Sequence, residues 1–353
     1  MRSGVVGGSS TKGGVLAREE RLRIGVVGGG VMARTHVSSL LSIPSAELVG
    51  LAAPEVSPEV LALCRGAEVP VTSDVHGLIA SDGLDAVVVA APTDAHVSLV
   101  EQAAGAGRHV FCEKPLALET RDAKAAVDAC EAAGVRLAVG HVVRYFPAYA
   151  KLRELVAAGE IGPPAMAKCR RMSGPPGEAR EWYADSSRSG GVLTDMGVHD
   201  FDWLLWSLGP VARVSASVAD RGAGQVAMVL LAHESGAISA VELSWMDPTG
   251  FWTAVEVSGP QGLLSHDSRS SATFRLDRAP GAAIPQASVE VPTGAALSDP
   301  YRDEMVDALA FFAGGAPPRS GPHDAVAAVA LAEAARLAAA TQETIDLAQA
   351  SSR

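Results

Sequence analysis

A chain of 353 residues is long enough for two domains and a sizeable core, and 48% hydrophobic with 20% charged residues is ordinary for a globular protein. The formal net charge of −11 excludes the basic footprint of a nucleic-acid binder, and no apolar run reaches the roughly 18 residues of a membrane span. The four cysteines (Cys64, Cys112, Cys130, Cys169) form no C-x-x-C or zinc-spaced set, so no metal is expected; three sit in apolar or helical surroundings and point to buried thiols in a reducing cytoplasm.

Residues 1–20 are rich in Gly and Ser, lack an apolar core of signal-peptide length and read as a disordered lead-in. The β-branched run Leu22 to Val27 then breaks into Gly28-Gly29-Gly30-Val31-Met32-Ala33, and a helical pattern follows to Leu41. Strand, G-x-G-x-x-A and helix in that order set backbone N–H groups at a helix start against a pyrophosphate. Gly28 makes the tight turn, Gly30 allows close approach of the phosphates, Val31 and Met32 open the helix, and Ala33 lets it sit close on the strand. A glycine triplet alone is only a turn; the flanking elements favour a dinucleotide site. The next strand, Glu47 to Ala53, ends in Ala52-Ala53-Pro54-Glu55 where an acid would bind the adenosine ribose, and Glu55 sits slightly late. No Arg or Lys lies close by in sequence to meet a 2′-phosphate, so NAD is preferred to NADP.

A helix from Pro58 to Arg65, a short strand near Val69 to Thr72 and a helix after Asp74 continue the alternation. Leu84 to Ala91 reads as a buried strand, after which Pro92-Thr93-Asp94 opens a helix from His96 to Ala106, with Asp94 or Thr93 as N-cap. His96 is a structural hydrogen-bonder or, second, a cofactor neighbour. The run His109 to Cys112 ends abruptly in Glu113-Lys114-Pro115, at the sheet edge where open α/β folds bind ligands. Lys114 is one of only five lysines, and a lysine can be tuned by its surroundings in a way an arginine cannot. The bland alternative is a solvated strand-end charge. A helix from Thr120 to Ala133 and a strand from Arg136 to Val139 complete a doubly wound parallel sheet, a Rossmann-type α/β domain over residues 21–143.

The pattern then changes to an α+β domain over residues 144–349. Gly140-His141-Val142-Val143-Arg144-Tyr145-Phe146-Pro147 leads into an amphipathic helix to Ala158, and Gly190 to Asp202 runs into helical Trp203 to Leu208. Strand-like runs at Val211–Val218, Val226–Ala232, Ala237–Trp245 and Thr253–Ser258 suggest an antiparallel meander in a large sheet. Val226 to Ala232 is apolar on both faces, so a second subunit is expected over the outer one, giving a homodimer or homotetramer. Residues 268–300 look irregular, and helices over Tyr301–Phe312 and Asp324–Thr341 close the chain. Asp195 and His199 are spaced i, i+4, so a helical turn would let the carboxylate hold the imidazole in one tautomer and raise its proton affinity. The alternative is a capping Asp195 and a surface His199. Asp200 and Asp202 read as capping or solvated groups, with Asp202 as an alternative brace for His199.

Taken together, the Gly28–Ala33 loop, Pro92-Thr93 with His96, Glu113-Lys114-Pro115, Gly140 with Arg144 and Pro147, and Gly190-Gly191 with Asp195-x-Gly197-x-His199 resemble the glucose–fructose oxidoreductase / inositol dehydrogenase / MocA family. The resemblance runs from Leu22 to Leu347; the departures are Ala33 for the third glycine and the missing acid after the second strand, which leaves NAD or NADP open. It implies hydride transfer between nicotinamide and a carbon of a sugar, cyclitol or related polyol. Lys114 would hydrogen-bond the reacting oxygen, His199 would be the acid/base with Asp195 orienting it, and Glu113 would help hold the nicotinamide ribose. Gly28, Gly30, Val31, Met32, Glu55, Ala91, Pro92, Thr93, His96, Glu113 and Lys114 would contact the cofactor.

These residue types suit the task. Alcohol oxidation needs a proton acceptor within reach of the hydroxyl, and an ammonium stabilises developing alkoxide charge. Whether Pro115 follows a cis or a trans peptide is open. Candidate substrate-pocket residues are His141, Arg144, Tyr145, Trp182 and Tyr183. The alternatives are that Arg144 pairs with acidic strand ends and that the two aromatics belong to the core or an interface. Two other functions stay on the table: a tightly bound NAD used transiently in glycoside cleavage or aldose–ketose exchange, and a non-catalytic cofactor-binding regulator.

Overall fold

A computed structural model describes residues 21–175, 181–222, 224–270, 272–278, 289–292 and 299–347; the lead-in expected over 1–20 lies outside them. The first sheet consists of β1 (Leu22–Val27), β2 (Ala46–Ala52), β3 (Val71–Thr72), β4 (Ala86–Val89), β5 (His109–Glu113) and β6 (Leu137–Gly140). All its pairings are parallel, in the order β3-β2-β1-β4-β5-β6. Helices cover both faces, which is why every residue of β4 is buried and why such strands read as unbroken apolar runs. On one face Ile24, Val26 and Phe111 pack with Val37 and Leu40 of the helix Val31–Ser42 and Val60 of Pro58–Gly66. On the other, Val87, Val89 and Val110 pack with the helices His96–Gly105 and Thr120–Ala132. Strand order reverses between β1 and β4, so the crevice for a ligand opens at their carboxyl ends.

Among the described residues the second sheet has nine strands: β7 (Met166–Met172), β8 (Val211–Asp220), β9 (Gln225–His233), β10 (Ile238–Ser244), β11 (Trp252–Gly259), β12 (Gly262–Asp267), β13 (Ala272–Arg278), β14 (Val289–Pro292) and β15 (Ile345–Asp346). Its order, β14-β13-β12-β11-β7-β10-β9-β8-β15, corrects the expected meander in two places. β7 inserts between β10 and β11, parallel to the first and antiparallel to the second. Its sequence, Met-Ala-Lys-Cys-Arg-Arg-Met, reads as a polar stretch because Lys168 and Arg170 point outward, while Ala167, Cys169 and Arg171 are buried. The region expected to be irregular contributes β13 and β14, paired antiparallel.

One more correction concerns the start of a helix. Neither Asp94 nor Thr93 caps the helix His96–Gly105; its N-cap is Ala95, without a side-chain bond. Asp94 instead accepts from Arg188 Nε at 2.6 Å, across from the other half of the chain.

The closing helices return to the first domain. Met305, Ala308, Leu309 and Phe312 of Pro300–Phe312 complete the core around β1. In Pro322–Thr341, Ala325 and Val329 face the Rossmann core, while Leu331, Ala332, Ala335 and Ala338 face the core of the second sheet. Small alanine side chains let one helix lie close to both layers. On the outer face of the second sheet Met228 and Leu230 are 47% and 57% exposed, the outward apolar side chains of a strand whose sequence is apolar on both faces. All four cysteines are free and buried, and among the described residues no helix is long and apolar enough to cross a membrane.

Candidate active site

The carboxyl end of β5 carries the first site residues. Val110, Phe111 and Cys112 are fully buried in the sheet, so Glu113 and Lys114 emerge in a fixed direction, and the Lys114–Pro115 peptide is cis. Lys114 Nζ donates to Asp195 Oδ1 at 2.9 Å and to the Asp195 carbonyl oxygen at 2.8 Å. Asp195 ends the short helix Gly191–Asp195, which the chain enters through Gly190 and Gly191, both left-handed at φ 74° and 67°. A Cβ on Gly190 would lie 2.4 Å from Thr194 Cβ, so the glycine pair is a requirement of this turn.

The geometry corrects the expected partner of Asp195. The helix breaks at Met196 before restarting as Gly197–Leu208, and the Asp195 carboxylate is engaged by Lys114, not by His199. His199 Nδ1 is buried without a hydrogen-bond partner. Its proton affinity is not raised: burial first, then the positive charges of Lys114 and Arg171, hold its pKa well below the ordinary 6.5. The opposite holds for Lys114. Burial opposes its charge, but Asp195 and other neighbours outweigh it and hold the ammonium above its ordinary value.

Glu113 is buried and accepts from His36 Nε2 at 2.6 Å and from the Lys114 backbone N–H at 3.1 Å. Burial works to protonate it, yet His36 and Lys114 hold it below the usual carboxylate range. His96 is a brace: its ring nitrogens lie 2.8 Å from the Pro115 carbonyl and 2.9 Å from that of Ala91. This bears out the structural reading of His96: the imidazole sits between the loop after β4 and the loop after β5, its one N–H donating to either carbonyl. Thr93, next to Pro92, is likewise buried.

The loop after β1 fits a dinucleotide pyrophosphate. A Cβ on Gly28, at φ 138°, would meet the Ala90 carbonyl oxygen at 2.2 Å, and one on Gly29 would meet that of Glu55 at 1.9 Å. On Gly30 a Cβ meets nothing within 4 Å. The first two glycines are therefore wedged against the strand ends, and the third faces open space at the start of a twelve-residue helix. That helix has no side-chain cap and no acid in its first turn, leaving the first N–H groups and the positive end of the dipole for an anion. Ala33 is fully buried and Val31 is exposed. The Glu55 side chain is exposed beyond β2.

Beside Lys114 and Asp195 a cavity of about 490 Å³ opens toward the second sheet, lined by Arg171, Tyr183, Asp195, His199, Trp245 and Tyr301 among others. Of the five expected pocket residues it receives Tyr183, against which Trp182 stacks with centroids 4.0 Å apart. The other three are not on its described lining. Arg144 is buried in a two-pronged pair with Asp202, Nε–Oδ2 2.8 Å and Nη2–Oδ1 2.7 Å, and also reaches Asp324 at 3.1 Å. Tyr145 donates to Asp307 at 2.6 Å. His141 is buried behind Lys114, its Nδ1 3.9 Å from Asp202 Oδ2 and neither ring nitrogen hydrogen-bonded.

Asp200 and Asp202, expected to cap or to be solvated, are both buried opposite arginines. Arg171 Nε and Nη2 hold Asp200 at 2.8 and 3.0 Å. Sequence reasoning passed over Arg171, His36, Trp245 and Tyr301. For Arg171 the i, i+2 alternation of Lys168 and Arg170 was a usable signal, since it places residue 171 on the inner face.

A family model described as "Oxidoreductase family, NAD-binding Rossmann fold" matches residues 22–141, and a GFO/IDH/MocA C-terminal domain model matches residues 149–265. The D-apiose dehydrogenase of Paraburkholderia graminis is 31% identical over 346 residues, covering 93% of this chain and 90% of that protein. The inositol 2-dehydrogenase of Rhizobium meliloti (strain 1021) is 28% identical over 339 residues, covering 93% and 99%. Among solved structures, GenD2 from gentamicin A biosynthesis in complex with NAD superposes with a TM-score of 0.83 at 28% identity, covering 98% of this chain and 99% of that one.

Proposed function

Because the chain belongs to the GFO/IDH/MocA family of NAD-binding oxidoreductases, we propose that it oxidises a CH–OH group of a sugar, cyclitol or related polyol. The observation that carries this reading is the Lys114–Asp195 bridge of 2.9 Å, which joins the end of β5 to the wall of the cavity that His199 also lines.

NAD, when bound, supplies the hydride acceptor. The N–H groups at Val31 and Met32, with Gly28 and Gly30, would hold its pyrophosphate, and the Ala91-Pro92-Thr93 loop would form the other wall. Lys114 carries three N–H donors, of which Asp195 takes two. The third is directed to the substrate oxygen, where a fixed cation stabilises the alkoxide that develops as the proton leaves. Neutral His199 accepts that proton. Glu113 positions Lys114 by accepting from its backbone N–H, and would help hold the nicotinamide ribose. The β2 end, with no basic group near it in sequence, favours NAD over NADP. The apolar outer face around Met228 and Leu230 supports assembly of a homo-oligomer through the second sheet.

The deciding experiment is a panel of sugars and cyclitols offered with NAD and with NADP, followed at the nicotinamide absorbance; absence of reduced cofactor from every pairing overturns the reading. Gly30→Val separates binding from folding. Since a Cβ there meets no protein atom, the melting temperature is expected to stay within a few degrees. NAD affinity, read by calorimetry, is expected to fall at least tenfold, because the branched side chain occupies the phosphate approach.

The pH dependence follows from His199 and His141, both held below the ordinary 6.5 first by burial. In the unfolded chain they take up protons near that pH, while in the folded chain they stay neutral to lower pH. The unfolded state therefore binds more protons below about pH 6.5, and stability is lost as the pH falls from there toward the folded values. The acid limb of kcat/KM is accordingly expected below pH 6.5, and His199→Ala is expected to remove it and to lower the rate about 10²-fold or more. A limb that persists unchanged in that variant removes His199 from the proton-accepting role.

A further inference from the structure

Building on the polyol reading, we propose that the substrate is uncharged and carries an apolar ring beside its reacting polyol ring, an aryl-glycoside-like molecule whose apolar part rests on Phe251 at the cavity mouth. The first argument is charge. The ionic groups on the described wall already face partners within the protein: Asp195 is bonded to Lys114, and Arg171 is held in two-pronged fashion by Asp200. His199, also on the wall, stays neutral. Away from the reacting carbon, where Lys114 is engaged with the oxygen that loses its proton, a substrate carboxylate or ammonium would be desolvated against groups that already have partners, which is unfavourable.

The second argument is the lining. Val142, Val143, Phe146, Met196, Trp245 and Phe251 supply most of the remaining described wall. Ser173, Tyr183, Tyr301, Asp195 and His199 can partner the hydroxyls of one polyol ring, whereas a second hydroxylated ring over the apolar part of the wall would leave its hydroxyls without partners. An apolar ring would match it, and aromatic side chains offer the faces on which such a ring stacks.

The third is Phe251 itself. It is 67% exposed, the most exposed large apolar side chain among those described, and Phe146 on the same cavity is 36% exposed. The Phe251 turn is nevertheless well tied. Asp247 N–H donates to the Ser173 carbonyl at 2.9 Å, and the Asp247 carboxylate accepts from Thr249 N–H at 2.8 Å and from Trp252 Nε1 at 3.2 Å. An exposed apolar ring carried on that turn, at the rim of a cavity that Asp195 and His199 also line, is suited to the part of a ligand that does not react.

The test uses the full chain loaded with NAD and needs no turnover. Calorimetric affinities are compared for methyl and phenyl β-glycosides of glucose, galactose and xylose, with glucuronate and glucosamine alongside. Phenyl glycosides are expected to bind at least about tenfold more tightly than the methyl glycosides of the same sugar, as burial of part of one aromatic ring supports. The two charged sugars are expected to bind more weakly than the phenyl glycosides. Phe251→Ala is expected to bring the phenyl-to-methyl ratio close to one, and Phe251→Tyr to retain it, both at unchanged native mass. Equal affinities within every pair, no binding of any pair, a ratio that survives Phe251→Ala, or preferred binding of a charged sugar overturns the proposal. So does a change of native mass in Phe251→Ala, which would assign the ring to a contact between copies of the chain. Reduction of NAD by free polyols is scored separately, so the broader oxidoreductase reading stands or falls on its own measurement.

Discussion

Lys114→Ala is expected to lower kcat/KM for every accepted substrate by about 10³-fold, with NAD affinity changed less than a few-fold. Two effects combine in that figure. Removal of one fixed donor to a developing oxyanion alone costs about 10²–10³-fold. The same substitution also takes the partner from Asp195 Oδ1, freeing the turn that presents His199 on the next helix. Cofactor binding is expected to survive because the glycine loop and the start of the helix Val31–Ser42 lie on β1, two strands from β5. Steady-state kinetics with calorimetric NAD titration of the same preparation separates the two. Activity within tenfold of the parent would leave Lys114 as a structural tether between the halves of the molecule.

Asp202→Ala is expected to cost about 3–5 kcal/mol of stability, because it leaves the buried Arg144 guanidinium without its two-pronged partner. Asp324, at 3.1 Å and partly exposed, compensates only in part. The contrast is Lys151–Glu154, an exposed pair at 2.7 Å, whose removal is expected to shift stability by less than about 0.5 kcal/mol. Denaturant midpoints at constant slope measure both. Replacing Arg144 and Asp202 together by Met and Leu is expected to recover most of the loss, since the expense lies in the unpaired charge and not in the absence of the pair. An unaltered midpoint in Asp202→Ala would show that Asp324 and the Arg319 carbonyl, which accepts from Arg144 Nη1 at 2.6 Å, suffice for Arg144.

The first domain was legible because its elements are long, alternate strictly and carry local signals such as the glycine loop and Glu113-Lys114-Pro115. Lys114 and His199 were also legible, as residue types placed at an edge and a helix start. What failed were the pairings. The i, i+4 spacing of Asp195 and His199 promises a shared face only in an unbroken helix, and Met196 interrupts it. Arg144 and Tyr145 look like ligand-binding side chains until Asp202 and Asp307, 58 and 162 residues away, prove to hold them. β7 was hidden because two arginines in succession, Arg170 and Arg171, lie on opposite faces of one strand, and only long-range contact tells which is inside.

The return of the last two helices has a consequence for biosynthesis. A ribosome releases the glycine loop early, yet Met305, Leu309 and Phe312, which close the layer beneath β1, emerge some 280 residues later. Until then the nascent first half exposes an oily furrow that only the tail of its own chain fills. The nucleotide pocket thus matures last, and an early stop codon anywhere before the final helix should leave a chaperone client instead of a smaller working enzyme.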